Sequence, residues 1–262
     1  MIAEALRTFP SHSSGRWCVA SFSDGTRIVS RGRKNDSDVH ILSLYNGRSL
    51  QKFGHHFNRH SGPVRAVAVS PNDCTVASAS EDGTIKLWDA NKGKHLKTFN
   101  DFGLWACSLT FSIEGTILAS GHADNKIRLW SVSNETFPCE IEGHSDAVTG
   151  VVFVGDDGER LVSSSRDGTV RVYKWRTKKL EWEFKHSCPV TCIVAFPDRE
   201  RIAAGDEDGV IRIWNLRTGD CEHSLGNHKS SMESVVVSRD GRMMVSSDRH
   251  KQIKIWTLWD TE

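Results

Sequence analysis

The chain has 262 residues, 26% of them charged, and a net charge of +1. That length allows one or two domains with ample core, and the near-neutral balance argues against a protein that coats nucleic acid with its whole surface. No apolar run approaches the roughly 18 residues of a membrane span, and the opening "MIAEALRTFP" lacks the long apolar core of a secretory signal.

The charge is unevenly spread. Residues 1–60 hold nine Lys or Arg against four Asp or Glu, so an anion-attracting surface is expected near that end. Seven cysteines stand at 18, 74, 107, 139, 188, 192 and 221, with no CxxC pair. This is expected of a reduced intracellular protein, cytoplasmic or nuclear, whose thiols pack as small apolar groups.

Taken in chain order, the elements are short strands. "EALRTF" (4–9) reads like the later strand "KHLKTF" (94–99). After a loosely patterned first stretch, "PVRAVAVS" (63–70) alternates, "VASAS" (76–80) and "TIKLW" (84–88) follow, and "HLKTF" (95–99) makes a fourth strand. The turn signals "SPND", "EDG" and "NKGK" separate them.

The same sequence of elements recurs along the chain. Turn positions fall at Asp36, Asp82, Asp124, Asp167, Asp208 and His250, spaced by 46, 42, 43, 41 and 42 residues. Six residues after each comes a large apolar residue: Leu42, Trp88, Trp130, Tyr173, Trp214 and Trp256. Six copies of a unit of about 42 residues, four strands each, predict stacked antiparallel sheets, because one such sheet cannot bury both its faces alone.

"HSGPV…SASEDGTIKLWD" (60–89) and "GHSDAV…SSSRDGTVRVY" (143–173) resemble WD40 repeats, and the resemblance covers nearly the whole chain. It implies an all-β fold: a WD40-type β-propeller of six four-stranded antiparallel blades. One domain, 1–262, would comprise repeats near 12–53, 54–99, 100–141, 142–184, 185–225 and 226–257, with the strand at 3–9 completing the last blade and closing the ring. The alternative is an incomplete ring or a fragment of a larger array.

The resemblance also assigns the recurring polar residues to the scaffold. A turn Asp accepts from a His, the His contacts a strand Ser, and the Ser meets a Trp indole. The sets are His60, Ser78, Asp82 and Trp88; then His144, Ser163, Asp167 and Tyr173. A third is His186, Asp208 and Trp214, with Ala204 replacing Ser. His228, Ser246 and Trp256 form a set with His250 at the turn, and the third copy has Phe102 where His belongs. A hydrolase would need one exposed nucleophile with a base and an oxyanion hole, so no enzyme activity is expected. No phosphate-loop or zinc motif calls for a cofactor or metal.

What the resemblance implies for function is a protein-interaction scaffold that binds peptides or domains on one face. Carried over position by position, the partner-binding set is Arg65, Trp105, Arg166, Glu207, Glu233 and Arg249. Trp and Arg are the residue types that dominate interface energies, although the arginines have Glu81, Glu207 and Glu233 as possible internal partners. The swollen first copy adds a basic rim with Arg31, Arg33 and Lys34, flanked by His55, His56 and Arg59. Two other readings stay open: RNA or phospho-ligand binding at that rim, and a ubiquitin-ligase substrate receptor, for which "WNLR" (214–217) keeps Arg217 of a WDxR motif but has Asn215 for its Asp.

Overall fold

The computed structural model describes residues 18–31, 37–53, 58–100, 104–133, 139–226 and 228–258. It contains twenty-three strands and, among the described residues, no helix. The chain divides into two compact units, Met1–Gly103 and Leu104–Glu262.

The first unit holds two antiparallel meanders. The first sheet runs β1 (Val19–Ser21), β2 (Arg27–Arg31), β3 (Val39–Ser43) and β4 (Ser49–Phe53); the second runs β5 (Val64–Val69), β6 (Thr75–Ser80), β7 (Thr84–Asp89) and β8 (His95–Asn100). Val39 and Ile41 of the first sheet share a buried cluster with Val64, Val67, Val76 and Trp88 of the second. The Phe53 and Trp88 rings lie 5.5 Å apart in that layer. At the other end of the sheets the Asp73 carboxylate accepts three bonds from the β1–β2 turn: Ser23 N at 2.9 Å, Ser23 Oγ at 2.6 Å and Asp24 N at 3.1 Å.

The second unit holds four meanders. The third sheet is β9 (Ala106–Phe111), β10 (Ile117–His122), β11 (Ile127–Ser131) and β12 (Cys139–Ile141). The fourth is β13 (Val148–Val154), β14 (Arg160–Ser165), β15 (Thr169–Lys174) and β16 (Lys179–Lys185). The fifth is β17 (Val190–Ala195), β18 (Arg201–Asp206), β19 (Val210–Asn215) and β20 (Cys221–Gly226). The sixth has three described strands, β21 (Met232–Val237), β22 (Met243–Asp248) and β23 (Ile253–Thr257). The strand expected at 3–9 lies outside the described residues.

The sheets stack by one repeated device. Within each unit, two alternate residues of one sheet's third strand enter the layer formed by the first and second strands of the sheet that follows it. Ile127 and Leu129 meet Val148, Val151 and Leu161; Val170 and Val172 meet Val190 and Ile202; Ile211 and Ile213 meet Met232, Val235 and Met244. Each fully buried aliphatic contributes roughly 1.5–3 kcal/mol, so these layers, not the hydrogen-bond ladders alone, hold sheet to sheet. The backbone approach is close: a Cβ on Gly205 would sit 2.9 Å from Met232 and from the Cys192 sulfur.

The tight β-hairpins explain the uneven look of the repeats. Their turns need a positive φ, which Gly83, Gly168 and Gly209 supply at 75°, 80° and 80°. In the third and sixth copies Asn125 and Lys251 take the same conformation at 72° and 65°, so the motif is broken in sequence while the turn is kept.

Candidate functional site

The second sheet shows the polar chain in full. His60 Nδ1 lies 3.0 Å from Asp82 Oδ2, His60 Nε2 lies 2.8 Å from Ser78 Oγ, and Trp88 Nε1 donates to the same Oγ at 2.8 Å. A carboxylate can only accept, so Nδ1 carries the proton, Nε2 accepts from the Ser hydroxyl, and that hydroxyl accepts from the indole. Ser61 N and Thr84 add bonds to Asp82 at 2.8 Å and 2.9 Å. Burial pushes the Asp82 carboxyl up, but the bonds from His60 and Thr84 more than offset it and hold it well below the usual range. The fourth sheet repeats this with His144, Asp167 (2.8 Å) and Ser163 (2.7 Å). Tyr173 is buried in the Trp position.

The fifth and sixth sheets correct the sequence assignment. His186 Nδ1 meets Asp206 Oδ2 at 2.8 Å, and Asp208 is an exposed turn residue whose N–H donates to Asp206 Oδ1 at 3.2 Å. His228 meets Asp248 at 2.9 Å and Ser246 at 2.7 Å, and Trp256 donates to Ser246 at 2.8 Å. The sixth copy therefore does not lack its Asp, and His250 is exposed. Both carboxylates have moved two residues back, to the end of the second strand, where Ser80 and Ser165 stand in other sheets. From there a carboxylate still reaches the His and still caps the hairpin: Val210 N and Gln252 N donate to Asp206 and Asp248 at 2.9 Å and 3.0 Å.

The third sheet fills the same strand-end position with His122, whose Nε2 lies 2.6 Å from Ser120 Oγ, while Trp130 donates to Ser120 at 2.7 Å. Asp124 instead takes Arg128, at 2.6 Å. Phe102, expected in place of the His, lies outside the described residues. Ser78, Ser120, Ser163 and Ser246 are all buried, so none is placed to attack a substrate.

Beside these His–Asp pairs lie the starts of the first strands. In each of the second to sixth sheets one backbone register step is skipped there, and the skipped residues are Arg65, Cys107, Thr149, Thr191 and Glu233. Such a β-bulge frees a side chain from the ladder and re-aims it. Thr149 and Thr191 turn theirs sideways: Thr149 Oγ1 donates to Val190 O at 2.9 Å and Thr191 Oγ1 to Met232 O at 2.8 Å, each on the neighbouring first strand. Glu233 is exposed.

In the second, fourth, fifth and sixth sheets the turn between the second and third strands is tied to this end. Glu81 N donates to Pro63 O, Arg166 N to Ala147 O, Glu207 N to Pro189 O and Arg249 N to Ser231 O, each at 3.0 Å. In the first unit Arg65 closes on Glu81 as an ion pair, so its charge is already answered. In the second unit Leu104 and Trp105 are exposed just ahead of β9, and Arg166 and Arg249 are exposed. Among the described residues neither of these two arginines has a carboxylate within salt-bridge distance. Glu207 is half-buried beside the exposed Asp208.

Arg33, Lys34, His55 and His56 lie outside the described residues, and for Arg31 only its place at the end of β2 is given. Arg59 is exposed. Arg217 is exposed in the β19–β20 turn, where Asn215 accepts from its N–H at 2.9 Å and itself donates to Glu222 at 2.9 Å. Among the described residues no group of three His, Cys, Asp or Glu converges as a metal site, and no helix is long and apolar enough to cross a membrane.

Residues 2–257 match the family described as the IFT122 first beta-propeller. Autophagy-related protein 16 of Arabidopsis thaliana is 37% identical over 127 residues, covering 48% of this chain and 25% of that protein. The target of rapamycin complex subunit LST8 of Saccharomyces cerevisiae is 31% identical over 186 residues, 70% of this chain and 61% of its own length. Anaphase-promoting complex subunit cdc20 of Dictyostelium discoideum is 28% identical over 174 residues, 64% of this chain and 34% of its own. The chain thus spans less than two thirds of the length of each of these relatives.

Proposed function

The chain belongs to the IFT122 first beta-propeller family of WD40-repeat proteins, and from that premise we propose that it is a non-enzymatic scaffold that docks other proteins at the first-strand ends of its second unit. The observation that carries the reading is the contrast between the two units. Arg65 is neutralised by Glu81, whereas Arg166, Arg249 and Trp105 stand exposed at the first-strand ends of their own sheets in the second unit. Exposed Arg and Trp side chains on a rigid rim are the groups that give an interface most of its energy, and Arg offers a carboxylate two parallel bonds. The fitting ligand is an extended segment with an apolar residue followed by acidic ones.

The buried position of every tetrad Ser supports a structural role for the His–Ser–Asp sets. Two relatives carry names that make them complex subunits, which is the same class of work. Seven free thiols fit a reducing compartment, cytoplasmic or nuclear. Affinity capture with mass spectrometry, comparing wild type with Trp105→Ala/Arg166→Glu, tests the proposal. Loss of partners by a variant that melts like wild type is the expected result; full retention by that folded variant refutes it.

A further inference from the structure

The third strands of the second, third and fourth sheets carry a cation at the same register, and the fourth strand decides what answers it. Arg128 pairs across the strands with Glu140, and Arg171 with Glu183. The carboxylates meet them: Glu140 accepts from Arg128 Nε at 3.0 Å, and Glu183 lies 3.0 Å from Arg171 Nη2. In the fifth sheet Arg212 turns instead to Asp206, at 3.2 Å. In the second sheet the cross-strand pair is Lys86 and Thr98. Directly paired residues share a face, with Cβ atoms about 4.5–5.5 Å apart. Thr98 therefore stands where the third and fourth sheets hold a carboxylate.

Two nitrogens converge on the Thr98 hydroxyl. Lys86 Nζ donates to Thr98 Oγ1 at 3.3 Å, and His95 Nε2 lies 2.8 Å from it. All three side chains belong to half-buried residues. Among the described residues no carboxylate lies within salt-bridge distance of Lys86. Asp82, four residues earlier, is taken up by His60, Ser61 N and Thr84 N. Burial and the Lys86 charge both push the His95 imidazole below its ordinary value, the direction expected where a cation is present and its anion is missing.

The strand that carries Thr98 is an edge. β8 is the outermost strand of its sheet and, among the described residues, pairs only with β7. The outer backbone groups of such a strand are a template for one further strand. Leu96, two residues before Thr98, is 51% exposed. A lone carboxylate beside a half-exposed lysine is held weakly in water, so its carrier must also pair with the strand.

We propose that Lys86, Thr98 and His95 form an anion subsite on the outer strand of the second sheet, and that its occupant is a Glu or Asp carboxylate on an extended segment of a partner protein added along β8. The carboxylate accepts from Lys86 Nζ and the Thr98 hydroxyl, as Glu140 and Glu183 accept from their arginines. Backbone pairing supplies the affinity that the single charge pair lacks. This contact is separate from the first-strand ends of the second unit and does not rest on the docking proposed there.

Nitrogen–proton correlation spectra of the full chain read the contact amide by amide. The probe is a blocked hexapeptide of alternating Val and Glu, with alternating Val and Gln as its control. Saturable shifts at Lys97, Thr98 and Phe99 are expected, with roughly tenfold weaker affinity for the Gln peptide and the same loss in the Lys86→Gln chain. Thr98→Glu, which builds the carboxylate into the chain, is expected to melt above wild type and to lose that gain when combined with Lys86→Gln. Equal affinity for the two peptides, an unchanged affinity of Lys86→Gln, or the absence of shifts in β8 overturns the proposal. So does a β8 response to inorganic phosphate as strong as that to the Val–Glu peptide. If Thr98→Glu fails to fold, the two peptides on wild type and Lys86→Gln decide the question by themselves.

Discussion

Replacing Ala204 with Ser is expected to stabilise the chain, an unusual direction for a substitution at a fully buried site. In the fifth sheet His186 Nδ1 lies 2.8 Å from Asp206 Oδ2 and 2.6 Å from Arg212 Nη1, and its Nε2 is buried with no hydrogen-bond partner. The reason is local: Ala204 stands where the second and sixth sheets place Ser78 and Ser246. Those hydroxyls lie 2.8 and 2.7 Å from the His Nε2, and 2.8 Å from the Trp indole nitrogen in both. The Trp214 ring already stands edge-on to His186 at 5.0 Å, so the pocket has the same walls. A Ser hydroxyl there hydrogen-bonds Nε2 and accepts from the indole. An orphaned buried group costs about 1–3 kcal/mol and each new bond returns about 0.5–1.5 kcal/mol net, which gives a gain on the order of 1–3 kcal/mol. For a chain of this size that is a rise of roughly 2–10 °C in melting midpoint. Differential scanning calorimetry with urea titration reads both quantities. A midpoint that is unchanged or lower refutes the idea that the missing hydroxyl is what leaves His186 unsatisfied.

Three further expectations follow from the same geometry. Asp206→Ala should cost about 2–4 kcal/mol by orphaning His186 and uncapping the hairpin, while Asp208→Ala stays within about 0.5 kcal/mol; equal urea midpoints for the two would contradict the assignment of the carboxylate. Stability should fall on acidification in two stages. Burial, against the pull of Asp167, lowers His144 below 6.5, so the unfolded chain takes up that proton first below about pH 6.5. Asp167 is raised by burial but more strongly lowered by Thr169, Ser145 and His144, to about 2 against 3.8 unfolded, so a second loss follows as pH falls through 4 toward 2. Denaturation midpoints that hold constant from pH 8 to pH 4 would exclude the first stage. Asp73→Ala should weaken the first unit by about 2–3 kcal/mol, since it removes the acceptor of three bonds and leaves a residue with φ 58°; a wild-type exchange rate for the Ser23 and Asp24 amides would argue against that clamp.

Most of the fold was legible because the repeat period and the large apolar residue of each third strand recur even where the turn motif is broken. Trp88, Trp130, Tyr173, Trp214 and Trp256 fall in third strands, and each pairs with the second strand in the same register. The polar assignments were legible only where the motif spacing was kept. Asp206 and Asp248 were missed because the rule looked for the carboxylate in the turn, although a carboxylate two residues earlier reaches the same His from the strand. The signal was present in "AAGDEDG" and "VSSDRH", where an Asp replaces the Ser of other copies. His122 was hidden for the same reason. The bulges at Thr149 and Thr191 have no signature in a single sequence, because the extra residue is visible only against its partner strand. Arg65 looked like an anchor equal to Arg166, and only the placement of Glu81 separates them.

The docking claim is tested most directly by selecting a displayed random-peptide library on the immobilised chain. The account predicts enrichment of an apolar residue, aromatic or aliphatic, followed closely by Asp or Glu. It also predicts that Trp105→Ala and Arg166→Glu, folded as judged by melting, each abolish that enrichment. Truncating one such anchor removes about 2 kcal/mol or more, at least roughly thirtyfold in affinity. Selection of the same peptides by both folded variants as by wild type would contradict it.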